Sequence, residues 1–237
     1  MKYVGFSTGC LYKERMNFEE ILRFYLDIGA DAVELSLSNL RNFHNYRPSK
    51  DMVNLANNFE FVAIHGPVNI FSPEDVKKYI ETSRRLTEAL GSDGVIFHPH
   101  EGNNYHLFSN SGVKFLIENL DGSSTIGITP EEFKYFRETY GFGCVLDLQH
   151  VYEHDSSLLT LDKFLTDAEK DLSHVHASGC NESCIHASLR DSDNRTEIIR
   201  GLTKIKNVPI IHEGAIEKDP KFAKKELEYL REPEKFI

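Results

Sequence analysis

Short apolar runs alternate with amphipathic segments along the whole chain. Each run is bounded by glycine, proline or polar residues, which is the pattern of buried parallel strands separated by helices. Eight runs are predicted to be strands: Tyr3–Phe6, Ala32–Leu35, Phe61–Ile64, Gly94–Phe97, Val113–Ile117, Cys144–Leu146, Leu172–Val175 and Val208–Ile211.

The segments between these strands carry helix start and stop signals. Asn17 followed by Glu20 fits a capping box, and Gly29 follows the last turn of the same helix. Proline follows a capping residue at Ser72-Pro73, Thr129-Pro130 and Asp219-Pro220. Further helices are predicted around Asp51–Asn57, Leu161–Glu169 and Thr196–Ile205, with a short or irregular helix between Glu101 and Gly112.

Eight strands alternating with helices predict an α/β protein with one closed (β/α)8 barrel, a TIM barrel, as a single domain over residues 1–237. An open doubly wound sheet would more often carry a glycine-rich phosphate loop after its first strand. Neither G-x-G-x-x-G nor G-x-x-x-x-G-K-[ST] occurs in the sequence.

The amino-acid composition and net charge limit the kinds of molecule that the protein is expected to bind. The chain has 37 acidic and 27 basic residues and a net charge of −10, which argues against indiscriminate nucleic-acid or membrane binding. We expect no transmembrane helix and no signal peptide. The four cysteines (Cys10, Cys144, Cys180 and Cys184) fit reduced thiols, so the expected location is the cytoplasm. The sequence gives no indication of the oligomeric state.

Most of the predicted strands end in a histidine or a carboxylate. In a closed barrel the carboxyl ends of the strands converge on one mouth, where the chemistry of such barrels takes place. So many ionisable groups together would be costly without a compensating positive charge. Mixed imidazole and carboxylate ligands suit zinc, manganese or iron better than calcium. The candidate ligands are His65, His98, Glu118, Asp147, His150, His176 and Glu213.

The remaining histidines and one glutamate are weaker candidates. His174 shares a strand face with His176 and is expected to pack near the site, while His212 should face the helices. Glu34 ends the second strand and is a secondary candidate, as is His100 in the H-P-H segment. Surface loops are expected for His44, His106 and His154.

The motifs at the strand ends resemble those of the xylose isomerase-like barrels, in particular the endonuclease IV type of apurinic-site endonuclease. The resemblance extends over essentially the whole chain. The matching segments are I-H-G-P at Ile64–Pro67, F-H-P at Phe97–Pro99, E-N at Glu118-Asn119, D-L-Q-H at Asp147–His150, H-A-S from His176, H-A-S-L from His186, and Glu213.

The resemblance implies a set of metal ligands. The endonuclease-like enzymes hold three zinc ions, and eight ligand positions match. His65, His98 and Glu118 would hold one ion. A second ion would be held by Glu118, Asp147, His176 and Glu213. His150 and His186 would remain for a third. Cys184 stands where the family has an aspartate, so it either binds zinc as a thiolate or marks the loss of the third ion.

Two enzymatic functions follow from this pattern. The first is a zinc-dependent phosphoester hydrolase with two or three ions, in which Glu118 and Asp147 orient the cluster and Glu213 holds the nucleophile. The second is a sugar or sugar-phosphate isomerase or epimerase with one Mn²⁺ or Mg²⁺ ion. In that case Glu118 and Glu213 shuttle the proton and His150 contacts the substrate.

Further observations bear on the reaction, on the substrate and on a third class of function. His65 and His98 favour the hydrolase, because a one-metal isomerase does not need them. Arg41 is the one base expected in the strand-end loops, so a small phosphorylated or sugar substrate is favoured over DNA. A barrel that binds metal without catalysis is a third class, and metal stoichiometry distinguishes the two enzymatic ones.

Overall fold

The computed structural model describes residues 3–68, 72–100 and 104–237. Within these residues eight parallel strands form a closed barrel, because the first strand pairs with the second strand on one side and with the last strand on the other. This confirms the predicted single (β/α)8 barrel. The barrel strands are β1 (Val4–Ser7), β2 (Ala32–Ser36), β3 (Phe61–His65), β4 (Val95–Phe97), β5 (Phe115–Glu118), β6 (Gly143–Asp147), β7 (Leu172–Ala177) and β10 (Ile210–His212).

Helices follow the strands and cover the outside of the barrel. The predicted capping box is present, since the Asn17 and Glu20 side chains each accept the other's backbone N–H at 2.9 Å. In the described part of the chain no helix is both long and apolar enough to span a bilayer. The helices are α1 (Phe18–Asp27), α2 (Leu40–Asn45), α3 (Lys50–Ala56), α4 (Pro73–Leu90), α5 (Tyr105–Ser109), α6 (Pro130–Tyr140), α7 (Leu148–His154), α8 (Leu161–Ala168), α9 (Arg195–Lys204) and α10 (Pro220–Arg231), with 3₁₀ turns at Thr8–Glu14 and Pro233–Phe236.

Some of the short elements were not predicted. The helices α2 and α7 and a hairpin of β8 (Gly179–Asn181) with β9 (Cys184–Ala187) lie in segments without clear periodicity. The expected helix between Glu101 and Gly112 is the short α5, while residues 101–103 lie outside the described residues.

The placement of three histidines in surface loops is wrong. His44 lies in α2, His106 in α5 and His154 in α7. Each of these helices is only about one to two turns long, too short for its apolar residues to show a helical period. His106 and His154 are exposed, whereas His44 is partly buried with Nδ1 3.3 Å from Thr82 Oγ1.

Side chains of the barrel strands alternate between the interior and the surrounding helices. A compact apolar cluster fills the interior: Ala32, Phe61, Ala63, Ile96, Leu116, Val145 and Ile211. Because the side-chain period of a strand is two, the residue two positions after each interior residue points toward the same axis, nearer the carboxyl end. Those positions are Glu34, His65, His98, Glu118, Asp147 and Glu213.

Gly5 allows β1 to approach β2 closely. A Cβ at this position would lie 1.6 Å from the carbonyl oxygen of Ala32 on the neighbouring strand. We therefore expect Gly5→Ala to lower the free energy of unfolding by about 1–3 kcal/mol, as overpacking typically does. Urea denaturation followed by circular dichroism measures this change.

Gly9→Ala is the matched control. Its Cβ would meet the Ser36 side chain at 3.5 Å, an ordinary van der Waals contact. Equal unfolding midpoints for the two variants would contradict the close-approach argument.

Candidate metal centre

Glu118, at the end of β5, lies between two sets of imidazoles. Its Oε2 is 3.2 Å from His65 Nε2 and 3.1 Å from His98 Nε2, and these two nitrogens are 3.3 Å apart. The strands β3, β4 and β5 are neighbours in the barrel, which brings the three side chains together. A cation about 2.0–2.1 Å from each ligand atom, as in zinc sites, fits such a triangle.

The other carboxylate oxygen of Glu118 faces a second group. His176 Nδ1 is 3.0 Å from Glu118 Oε1 and 3.1 Å from Glu213 Oε2. With Asp147, these residues place four potential ligand atoms within 4.8 Å of one another. The Glu118 carboxylate therefore contacts both ligand groups, one through each oxygen.

Asp147 is positioned by the junction of β6 with α7. Its Oδ1 accepts hydrogen bonds from the backbone N–H groups of Gln149 and His150 at 2.6 and 3.0 Å, which caps α7. Asn119 fixes the backbone of Asp147 through bonds of 2.7 and 3.0 Å. The second oxygen, Oδ2, is buried with no hydrogen-bond partner among the described residues. A buried carboxylate oxygen without a partner is costly, and a cation would satisfy it.

His150 and His186 lie beside these groups without forming a third one. His150 Nδ1 donates to the Asn119 carbonyl at 2.8 Å, and its Nε2 lies 3.9 Å from Asp147 Oδ2. The two imidazole rings are 5.4 Å apart, and His186 Nδ1 is 2.9 Å from Ser178 Oγ. In the described parts of the chain, no group of three close ligand atoms includes His150, His186 or Cys184.

A third close group lies deeper in the barrel. Glu34, His174 and His176 are completely buried, and Glu34 Oε2 is 2.8 Å from His176 Nε2 and 3.3 Å from His174 Nε2. From the sequence, Glu34 is a secondary candidate and His174 is expected to pack near the site. The sequence feature that could have identified Glu34 as a site residue is the two-residue period of a strand, because Glu34 lies two positions after the interior residue Ala32.

Two of the weaker histidine candidates lie outside the three groups. His212 faces the helices as predicted, and its Nε2 is 2.7 Å from Glu226 Oε2 on α10. His100 lies in none of the three groups formed by described residues.

The carboxylates raise the pKa of some of the imidazoles around the site and not of others. Burial opposes charge on His65, but the hydrogen bond to Glu118 and the negative charge of Glu34 raise its pKa to about 9. The pKa of His150 also rises to about 9, since Asp147 and Glu118 outweigh its burial. His98 differs, because burial lowers its pKa despite the bond to Glu118.

The carboxylates are affected in opposite directions. Burial would raise the pKa of Glu118, but the charge of His176 and the imidazole hydrogen bonds hold it well below the usual range. Burial raises the pKa of Asp147, and the charges of His150 and His186 only partly oppose this. The positive charge near Asp147 thus does not outweigh its burial, in contrast to Glu118.

A cavity of about 390 Å³ opens onto the two ligand groups. Four serine hydroxyls line it together with the histidines and carboxylates, and the described lining residues include no lysine or arginine. The segments 69–71 and 101–103 contain none in the sequence either. The lining residues are Ser7, Gly9, Ser36, Ser38, His65, His98, Glu118, Leu120, Asp121, Ser124, His150, His186 and Glu213.

Solved structures share the complete fold. Endonuclease IV from Thermus thermophilus superposes with a TM-score of 0.73 at 18% identity over 99% of this chain and 100% of that one. D-psicose 3-epimerase with D-tagatose from Clostridium cellulolyticum gives a TM-score of 0.70 at 15% identity, over 98% of each chain. A xylose isomerase domain-containing protein from Salmonella typhimurium gives 0.64 at 16% identity, over 96% and 93%.

These similarities show that the chain has the same TIM-barrel fold as these proteins, the fold that the sequence motifs indicated. No protein-family model matches the sequence, and the search of curated proteins gives no significant match. At such identities the fold is shared by hydrolases and epimerases alike, so the reaction has to be argued from the site.

Metal binding is expected to release protons at pH 7. His65 is protonated there because its pKa is about 9, and the surrounding carboxylates raise the pKa of His176 well above its usual range despite its burial. An imidazole must lose its proton to bind a cation. Calorimetric titration with ZnCl₂ in two buffers of different ionisation enthalpy measures the release. We expect about one proton or more per protein at pH 7, decreasing toward zero as the pH rises past 9. A binding heat independent of the buffer at pH 7 would contradict the assigned protonation states.

Proposed function

We propose that the protein is a divalent-metal-dependent phosphoester hydrolase with a two-metal centre. The observation that carries this proposal is the position of Glu118, whose two oxygens face two separate ligand groups. Shared carboxylates of this kind suit paired metal ions, which stabilise both the attacking and the leaving oxygen of a displacement at phosphorus. His65 and His98 would hold one ion with Glu118, and Asp147, His176 and Glu213 would hold the other.

The residues present fit such ions. Three carboxylates (Glu118, Asp147 and Glu213) share one small region of the barrel, and Asp147 Oδ2 has no other partner among the described residues. Mixed imidazole and carboxylate ligands favour zinc, with manganese and iron as further candidates. When bound, such ions polarise the phosphoryl group and lower the pKa of water toward neutrality.

The side chains around the ligands have separate roles in this proposal. Glu213 is the most accessible carboxylate of its group, 15% exposed and facing the cavity, so it can hold the attacking water and accept its proton. His150 is oriented by the Asn119 carbonyl, which leaves Nε2 free to contact the substrate or a third ion. His186 lies against it on the cavity wall and would assist in the same place.

The cavity supports a small substrate rather than DNA. Neither its described lining nor the sequence of segments 69–71 and 101–103 contains a lysine or arginine that could bind a phosphate backbone. Arg41, the base expected among the strand-end loops, lies in α2 and does not line this cavity. A small phosphorylated compound, with its phosphate on the metal ions and its hydroxyls on the serines, fits this polarity. The cytoplasmic location stays a prediction.

A sugar isomerase or epimerase is the second candidate. Glu118, Asp147, His176 and Glu213 form a complete four-ligand group by themselves, which could hold one Mn²⁺ or Mg²⁺ ion beneath a sugar. Glu118 and Glu213 would then exchange the proton next to the carbonyl. The hydroxyl-lined cavity suits this reaction, but it gives no role to the close pair of His65 and His98.

Replacement of one ligand group tests the two-metal proposal. We expect wild-type protein to hold two zinc ions, and His65→Ala or His98→Ala to hold one. Hydrolysis of bis(p-nitrophenyl) phosphate should fall at least roughly 100-fold, because a Lewis-acidic ion contributes several kcal/mol to the reaction. Elemental analysis and absorbance of released p-nitrophenolate measure the two effects.

His106→Ala is the matched control, since His106 is an exposed histidine on α5, away from the cavity. It should retain both the metal content and the rate. One exchangeable Mn²⁺ ion per chain, with ketose epimerisation unaffected by His65→Ala, would reject the hydrolase in favour of the second candidate.

A further inference from the structure

A line of hydrogen-bonding side chains runs through the barrel from the metal centre to its opposite end. His176 Nε2 lies 2.8 Å from Glu34 Oε2 and 3.2 Å from His174 Nε2. The other ring nitrogen of His174 lies 3.2 Å from Ser173 Oγ, at the start of β7. Ser173 Oγ in turn donates to Asp93 Oδ2 at 2.7 Å, just before β4 and on the exposed amino-terminal rim.

The donor and acceptor of each hydrogen bond in this line can be assigned by starting at Asp93, its exposed end. Asp93 is a carboxylate that also accepts from Lys114 Nζ at 2.7 Å, so the single hydroxyl proton of Ser173 points to Asp93. Ser173 Oγ can then only accept, and His174 must donate from Nδ1. In its neutral form His174 then has its lone pair on Nε2, which lies 3.2 Å from His176 Nε2.

The same reasoning fixes the ring of His176. Its Nε2 faces two acceptors, the Glu34 carboxylate and the lone pair of His174, so this nitrogen carries a proton. With a cation bound, His176 would be a neutral imidazole with one protonated nitrogen, so Nδ1 would present its lone pair to the cation held with Glu118 and Glu213. Carboxylates that receive the outer N–H of a metal-binding histidine orient the ring and increase metal affinity.

We propose that Glu34 is a positioning residue for metal binding, and that His174, Ser173 and Asp93 set the hydrogen-bond direction on which this positioning depends. The inference rests on the proposed metal centre, since it assigns His176 Nδ1 to a cation. It adds residues outside the ligand groups, including one on the opposite rim of the barrel. Phe61 packs against the His174 ring with centroids 5.2 Å apart and holds it in the line.

Metal affinity of Glu34→Gln tests the proposal. A glutamine keeps the shape of Glu34 but loses its charge and can turn a donor toward His176. We expect zinc to bind about 10–100-fold more weakly, as with other outer partners of metal-binding histidines, with two ions still bound at saturation. Competition with a chelating zinc indicator measures the affinity, and elemental analysis gives the stoichiometry.

Glu226→Gln is the matched control. Glu226 is a second completely buried glutamate that accepts from a buried histidine, His212, at 2.7 Å, but on the outer face of the barrel. Its substitution should leave zinc affinity unchanged. If Glu34→Gln does not fold, Ser173→Ala, at a partly exposed position, replaces it in the test. For this variant we expect zinc to bind about 2–10-fold more weakly.

A spectroscopic measurement tests the direction of the line independently. In ¹⁵N-histidine spectra of the zinc-loaded protein, His174 should be the Nδ1-protonated tautomer and His176 should be protonated at Nε2. The opposite tautomer of His174 would overturn the proposal, since Ser173 and Asp93 would then not set its direction.

The remaining outcomes separate this inference from the proposed function. Wild-type protein that binds no zinc tightly would overturn the proposed function, and the inference with it. Folded Glu34→Gln with unchanged zinc affinity would overturn the inference alone. Loss of one bound ion in Glu34→Gln, with the others held as tightly as before, would also overturn it, because Glu34 would then be a direct ligand.

Discussion

The structure of the site depends on one buried carboxylate, that of Glu118. This side chain is 1% exposed, and each of its oxygens is in contact with imidazole nitrogen. An isolated buried anion would be prohibitively costly, so positive charge is needed on both sides. In the metal-free protein that charge comes from protonated His65 and His176. Cations would replace these protons, and the lowered pKa of Glu118 keeps the carboxylate available in either state.

The barrel supplies this arrangement through two geometric constraints. Alternation along each strand places an interior residue and a site residue on the same face, as in Leu116 and Glu118. Closure of the sheet then brings faces from distant parts of the sequence to one axis. Below the site the interior is apolar except along the line through Glu34 and His174. Along that line Glu34 Oε2 lies 2.8 Å from His176 Nε2, while Glu34 Oε1 has no hydrogen-bond partner among the described residues. Buried polar groups are tolerated where they are hydrogen-bonded, and here that holds for the oxygen that faces His176.

The sequence alone was sufficient to place residues whose position depends on a single strand. His65, Glu118 and Glu213 could be found because each follows an apolar run, and the barrel follows from the number and spacing of those runs. Contacts between distant strands could not be found in this way. Glu34 meets His174 only through the stagger of β2 and β7 across the barrel, for which a single sequence carries no signal. The helix α7 was missed because its cap, Asp147, also ends a strand.

The same geometry explains why two reactions remain compatible with one fold and why one of them is favoured. A sugar isomerase or epimerase with one metal ion needs only the ligand group that includes Asp147 and Glu213. In such an enzyme the second oxygen of Glu118 would make ordinary hydrogen bonds. Here that oxygen is met by both His65 and His98, whose nitrogens are 3.3 Å apart. Two protonated imidazoles at this distance would repel each other. Burial, together with the positive charge of His65, lowers the pKa of His98. One shared cation removes the conflict, because both rings can then present lone pairs to it. The pair of histidines is thus better explained as half of a two-metal centre than as packing around a single ion.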